Sequence, residues 1–172
     1  MCADAPSFTC VRTHLSRSAI LLVVADGSWR DDDLVAAWAA LLRLHAQVVA
    51  TIDAEVQGAV GLPLSWYDVL LELNAAPEHR LRMLELADRV VLSRTRVTRV
   101  VDELTAAGYV IRKPNPDDGR SSFAQLTAAG RAAFRKAAPV YVASIKRHFG
   151  SRVDKPATLR RMLEHALQPP EL

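Results

Sequence analysis

Positions Leu34, Trp38, Leu41, His45, Val48, Ile52 and Ala59 follow one another at spacings of 4, 3, 4, 3, 4 and 7. That rhythm keeps one stripe on a helix and predicts a long amphipathic helix over 34–59. Asp31, Asp32 and Asp33 stand at its start, where a carboxylate can cap free amides and favours the positive end of the helix dipole. At 1.5 Å per residue such a helix spans roughly 37 Å, more than a domain of this size needs internally, so part of it is expected to meet another chain. The break Gly61-Leu62-Pro63 separates it from a second helix over 65–74, with Ser65 as the expected cap and Trp66, Val69, Leu70 and Leu73 as its packing face. A third, short helix carries Met83, Leu84, Leu86, Ala87 and Val90. After the tight turn Val91-Leu92, a fourth runs over 93–107 with Val97, Val100, Val101 and Leu104 on one side and Gly108 at its C′ position.

Beyond Gly108 the period changes to two. Residues 109–113 and 122–126 read as strands around a turn carrying Asn-Pro and Asp-Gly signals, which together make a β-hairpin. Thr127 then caps a long helix that runs to about residue 149, with a kink expected at Pro139, and a last helix is expected over about 156–167. The fold class is mainly α: a winged helix-turn-helix over 64–127, set between helical segments at 34–59 and 128–167 within a domain of 31–168, the segments to which the resemblance given below assigns dimerisation. Residues 1–30 show no sustained period and read as an arm or extension.

Composition narrows the classes. The chain has 172 residues, half of them hydrophobic, a quarter charged and only seven glycine, the profile of a globular domain. The two cysteines, Cys2 and Cys10, both precede the core, so neither a core disulfide nor a four-cysteine zinc site is available. His79, His148 and His165 lack the neighbours of a zinc site, and no nucleophile triad, phosphate-binding glycine loop or HExxH motif is present; neither enzyme nor metal or cofactor chemistry is expected. The apolar run 19–25 is far short of the roughly 20 residues of a membrane helix, and its flanks make a poor signal peptide, so a cytoplasmic protein without a membrane partner is expected. Charge is uneven: residues 31–81 hold 2 basic against 8 acidic side chains, and residues 82–136 hold 11 against 6. With a pI near 9.1, the basic middle points to an anionic partner.

The residues of the fourth helix give that partner a form. At 100° per residue from Arg94, Val97, Val100, Val101 and Leu104 fall between about 240° and 340°; Thr95, Thr98, Arg99 and Asp102 lie opposite, flanked by Arg94 and Arg96. Such an arc suits double-stranded DNA, because arginine reads guanine bidentately and a threonine methyl can touch thymine. Ser93 is the expected N-cap, at a helix end that also suits a phosphate. Arg120, steadied by Asp118 at the hairpin tip, could enter the minor groove, and Lys113, with Arg112 beside it, could contact phosphate. Ordinary solvated arginines and a turn chosen for its φ angles are the competing assignments.

The run 64–130 resembles the MarR family of bacterial transcriptional regulators. The stretches that carry the likeness are LPLSWYDVLLEL at 62–73, LELA at 84–87, LSRTRVTRVVDEL at 92–104, AGYV at 107–110, DGR at 118–120 and LTAAG at 126–130. With the flanking helices the resemblance covers about 34–168. It implies a homodimer interlocked through its first and last helices, two winged lobes reading a pseudo-palindromic operator, and a function as a repressor or, less often, an activator. By this likeness Ser93, Arg94, Thr95, Arg96, Thr98 and Arg99 lie in the recognition helix, and Asp118 and Arg120 match the wing pair. Gly119 departs from the basic residue common there. The resemblance also implies a crevice for a small aromatic or amphipathic effector, for which Trp38, His45, Trp66 and Tyr67 are the candidate lining; packing is their competing role. The alternative function is a winged-helix dimer that serves as a protein-interaction module without specific DNA recognition. Loss of the outward arginines would mark it, and they are present.

Overall fold

The structure is a computed structural model and describes residues 33–116, 118 and 121–168. Its elements are α1 (Asp33–Val60), α2 (Leu64–Ala75), a 3-10 turn (Pro77–His79), β1 (Arg80–Arg82), α3 (Met83–Arg89) and α4 (Arg94–Ala106). β2 (Val110–Pro114), β3 (Ser122–Leu126), α5 (Ala128–His148), a second 3-10 turn (Gly150–Arg152) and α6 (Pro156–Ala166) follow. The chain divides into two compact units, residues 1–44 and 45–172, so the first twelve residues of α1 belong to the first unit and the rest to the second.

Within the second unit the predicted helix faces are the observed ones where periodicity was strongest. Val97, Val100, Val101 and Leu104 of α4 are wholly buried, as are Val69, Leu70 and Leu73 of α2. Tyr67 joins them, its ring stacked on Phe134 at 5.4 Å and tilted against Tyr141 at 4.4 Å, and burial pushes its hydroxyl up to about 12. The stop after α4 is a Schellman motif. Tyr109 N–H donates to Leu104 O at 2.9 Å and Gly108 N–H to Thr105 O at 3.0 Å, with Gly108 at φ +75°. Thr127 caps α5 as expected, its Oγ1 accepting from Gly130 N–H at 3.0 Å.

Four details differ from the sequence expectation. The sheet has three antiparallel strands in the order β1-β3-β2, because Arg80–Arg82 pairs with β3, with Leu81 opposite Ala124. α2 begins at Leu64 without a cap from Ser65; Asp53 Oδ1 instead accepts from Leu64 N–H at 2.7 Å, so a carboxylate of α1 caps the neighbouring helix. On α3 only Leu86 is buried, and Leu84 is 56% exposed. Finally, α1 is long and apolar enough to cross a membrane, with a mean hydropathy of 1.5 over an 18-residue window. An uncharged run stops at Arg43, whereas hydropathy averaged across that single charge stays high. Val48, Ile52 and Val56 of the same helix are buried by protein, while Leu34, Trp38, Leu41 and Leu42 are exposed.

α1 and α5 are tied within the second unit by Glu55. Its carboxylate accepts from Ser144 Oγ at 2.5 Å, faces His148 Nε2 at 2.7 Å and pairs with Arg147 at 3.0 Å. The bonds from Ser144 and His148 hold it down to about 2, against the adverse effect of partial burial. Asp31, Asp32 and everything before them lie outside the described residues.

Candidate nucleic-acid interface

The apolar side of α4 fixes which side faces outward. With Val97, Val100, Val101 and Leu104 held in the core, Arg94, Thr95, Thr98, Arg99 and Asp102 are all exposed. Arg94, Thr95, Thr98, Arg99, Asp102 and Glu103 line one open concavity of about 600 Å³. Ser93 Oγ accepts from Arg96 N–H at 3.3 Å, the expected cap, so the amide end of the helix is ordered beside this surface. The charges on it are unequally free. Arg94 lies 3.5 Å from Asp88, and Asp102 is paired at 2.8 Å with Arg112, which also reaches Thr98 O at 3.5 Å. Arg99 has no ion-pair partner among the described residues.

Two predicted site residues fall elsewhere. Arg96 is exposed but lines a different cavity, as its 200° position on the helix allows. Arg112, expected beside Lys113, turns back onto α4 and braces the hairpin against it. Lys113 itself is exposed on β2. At the hairpin turn Asp118 N–H donates to Asn115 O at 3.3 Å, Ser121 N–H to Asp118 O at 3.0 Å, and Asn115 Nδ2 to Ser121 Oγ at 2.8 Å. Arg120 and Gly119 lie outside the described residues.

Of the four candidates for an effector crevice, the three in the second unit, His45, Trp66 and Tyr67, have different surroundings. Tyr67 is in the core, and Trp66 donates to Glu103 Oε2 at 2.9 Å while meeting Tyr109 edge-on at 6.1 Å. Trp38 is 59% exposed in the first unit. His45 lines a groove of about 960 Å³ within the second unit, along with Asp53, Asp68, Glu72, Arg96 and Tyr141. Sequence reasoning missed the carboxylates, whose signal was the recurrence of acids at Asp53, Asp68 and Glu72 in a segment with few bases.

Asp68 is the most perturbed of them. Burial, and then the neighbouring Glu72 and Asp53, push its carboxyl up to about 6. Because this folded value lies above the unfolded one, Asp68 opposes folding increasingly as pH rises from about 4 to about 6, and the penalty is full above that window. Asp68→Asn is therefore expected to raise the thermal midpoint at pH 7 and to leave the wild-type value nearly unchanged at pH 4. A midpoint gain of equal size at both pH values would show that the carboxyl charge is not the cause.

A short helix, a tight turn, an exposed Arg/Thr-bearing second helix and a three-stranded wing sheet define a winged helix-turn-helix protein. The sequence profile of the MarR family matches residues 60–121. The chain is 31% identical over 125 residues to the HTH-type transcriptional repressor YetL of Bacillus subtilis, covering 59% of this chain and 73% of the relative. It is 35% identical over 77 residues to the HTH-type transcriptional regulator PapX of Escherichia coli, covering 45% of this chain and 47% of that protein. The match thus spans about half the length of that relative. Among solved structures, the chain is similar to Sco3205, a MarR family transcriptional regulator from Streptomyces coelicolor in complex with DNA, with a TM-score of 0.68, 29% identity, and coverage of 79% of this chain and 89% of that one. The chain belongs to the MarR family of transcriptional regulators.

Proposed function

We propose that this protein is a sequence-specific DNA-binding regulator, in the first instance a repressor, which binds a pseudo-palindromic operator as a homodimer and is released by a small-molecule effector. The observation that carries the reading is the outward face of α4, where Arg94, Thr95, Thr98 and Arg99 are presented together while the opposite face is wholly buried. Such a face combines phosphate contact with base-edge hydrogen bonding. The exposed apolar residues Trp38 and Leu41 in the first unit, and separately Met162 and Leu167 in the second, each favour a partner of matching apolar surface, and a second copy supplies one. The groove beside Arg96 supports effector control. A ligand that prefers one arrangement of the dimer changes operator affinity by its differential affinity for the two states, typically about 1–3 kcal/mol.

Selection from randomised duplexes tests the core of the proposal. The expected product is a two-fold symmetric consensus whose half-sites lie about one helical turn apart, bound by two chains per site. Absence of enrichment, or one asymmetric half-site bound by single chains, would overturn it.

A further inference from the structure

The outer face of the wing sheet takes no part in the α4 surface. Alternation along the strands sends Leu81, Ala124, Leu126 and Val110 inward, where all are buried. The register then sets Arg82, Phe123 and Lys113 in one row across β1, β3 and β2, with Arg80, Gln125 and Ile111 in the next. At a strand spacing of about 4.8 Å, the outer strands of each row are about 10 Å apart. The guanidinium carbons of Arg80 and Arg82 lie 5.1 Å and 5.9 Å from the centre of the Phe123 ring. The ring thus holds two arginines side by side by cation–π attraction. Two carboxylates stand nearby. Glu78 pairs with Arg80 at 2.9 Å, and the Glu85 side chain accepts from Arg82 N–H at 3.2 Å. Arg82 and Lys113 are exposed, and Arg80 is 40% exposed.

We propose that this sheet face is a second binding surface for duplex DNA, in which Arg80 and Arg82 extend the grip of Lys113 onto the phosphate backbone flanking the operator. The inference rests on the DNA-binding reading of α4. Its placement follows from connectivity: Arg82 leads directly into α3, and Arg112, the neighbour of Lys113 on β2, is bonded to α4 through the inner face. The row therefore begins where the helix-turn-helix begins, at the N-cap of α3. Cations spread across a rigid sheet match a chain of phosphates better than a single small anion. A duplex backbone fits better than an unpaired strand, because both arginines already crowd the one aromatic ring on which a base would have to stack.

The test uses the full chain and the selected operator, placed in duplexes of equal core site with short flanks and with flanks extended by about one helical turn. For wild type, affinity should rise with flank length and fall steeply with salt. For the double variant Arg80→Ala/Arg82→Ala the flank gain should vanish, and the slope of log affinity against log salt should shrink by about 0.9 for each phosphate no longer neutralised. That is a three- to fourfold smaller fall in affinity between about 50 and 200 mM salt per phosphate. Glu78→Gln, which frees Arg80, should instead enlarge the flank gain. Thermal midpoint and dimer mass serve as the fold control.

Unchanged flank gain and slope in the double variant would overturn the inference while leaving specific binding through α4 intact. Equal tightening on single-stranded flanks would overturn it in favour of a stacking platform. Failure of wild type to prefer any duplex would remove both readings.

Discussion

Replacing Arg99 with alanine is expected to lower operator affinity by about 1–3 kcal/mol per half-site, roughly 5- to 150-fold, with the dimer and the thermal midpoint unchanged. The expectation rests on what each arginine of α4 is already doing. Arg94 is within 3.5 Å of Asp88, and Arg96 lines the groove at the other edge of the helix. Arg99 is exposed between these, shares a concavity with Thr95 and Thr98, and has no ion-pair partner among the described residues. Its removal opens no cavity, because the neighbouring Val97, Val100 and Val101 fill the core from the opposite side. Arg96→Ala should weaken binding less than Arg99→Ala. Fluorescence anisotropy with labelled operator duplex measures both, and an Arg99→Ala protein that binds as tightly as wild type would mean that α4 is not the reading element.

The largest effect on stability is expected at Gly130. A Cβ there would overlap Tyr109 O outright and lie 2.9 Å from Tyr109 C and 2.8 Å from Leu126 Cδ1. The obstacle is mostly backbone and cannot step aside as a flexible side chain would. The first turn of α5 sits that close because Thr127 ties it to the preceding turn: its N–H donates to Tyr109 O at 3.0 Å and its Oγ1 to Gly108 O at 2.8 Å. Gly130→Ala must push this junction apart, at a cost of about 3 kcal/mol. Gly108→Ala is the useful comparison. It meets nothing within 4 Å but must hold φ +75°, so only the left-handed strain of about 1–2 kcal/mol applies. Denaturant midpoints of the two variants should rank in that order. Gly130→Ala within about 0.5 kcal/mol of wild type would mean that the junction is looser than these distances imply.

How much of this was legible in the sequence depended on how local each determinant is. The burial of Val97, Val100, Val101 and Leu104, the Gly108 stop and the Thr127 cap are decided within one turn of the chain, and each was readable from spacing and residue type. β1 was not, because three residues carry no period; Arg80–Arg82 is a strand through its pairing with β3, more than 40 positions later. The cap on α2 comes from Asp53, eleven residues upstream of Leu64, so the nearby Ser65 was a plausible but wrong candidate. Trp66 and Tyr67 are adjacent on a helix, about 100° apart, and so turn to different surroundings: Trp66 to Glu103 and Tyr109, Tyr67 to Phe134 and Tyr141. The acid-lined groove assembles residues from α1, α2, α4 and α5, which no single stretch of sequence displays together.

Whether the outward face of α4 reads DNA sequence is tested most directly by measuring binding of wild type and Arg99→Ala to two sets of duplexes across a salt series. One set comes from upstream of the protein's own coding sequence, and the other is unrelated. Wild type is expected to prefer at least one upstream duplex at every salt concentration, with two chains bound per site, while Arg99→Ala keeps the salt-dependent background but loses the preference. Equal, steeply salt-dependent binding of both proteins to all duplexes would contradict a sequence-reading α4.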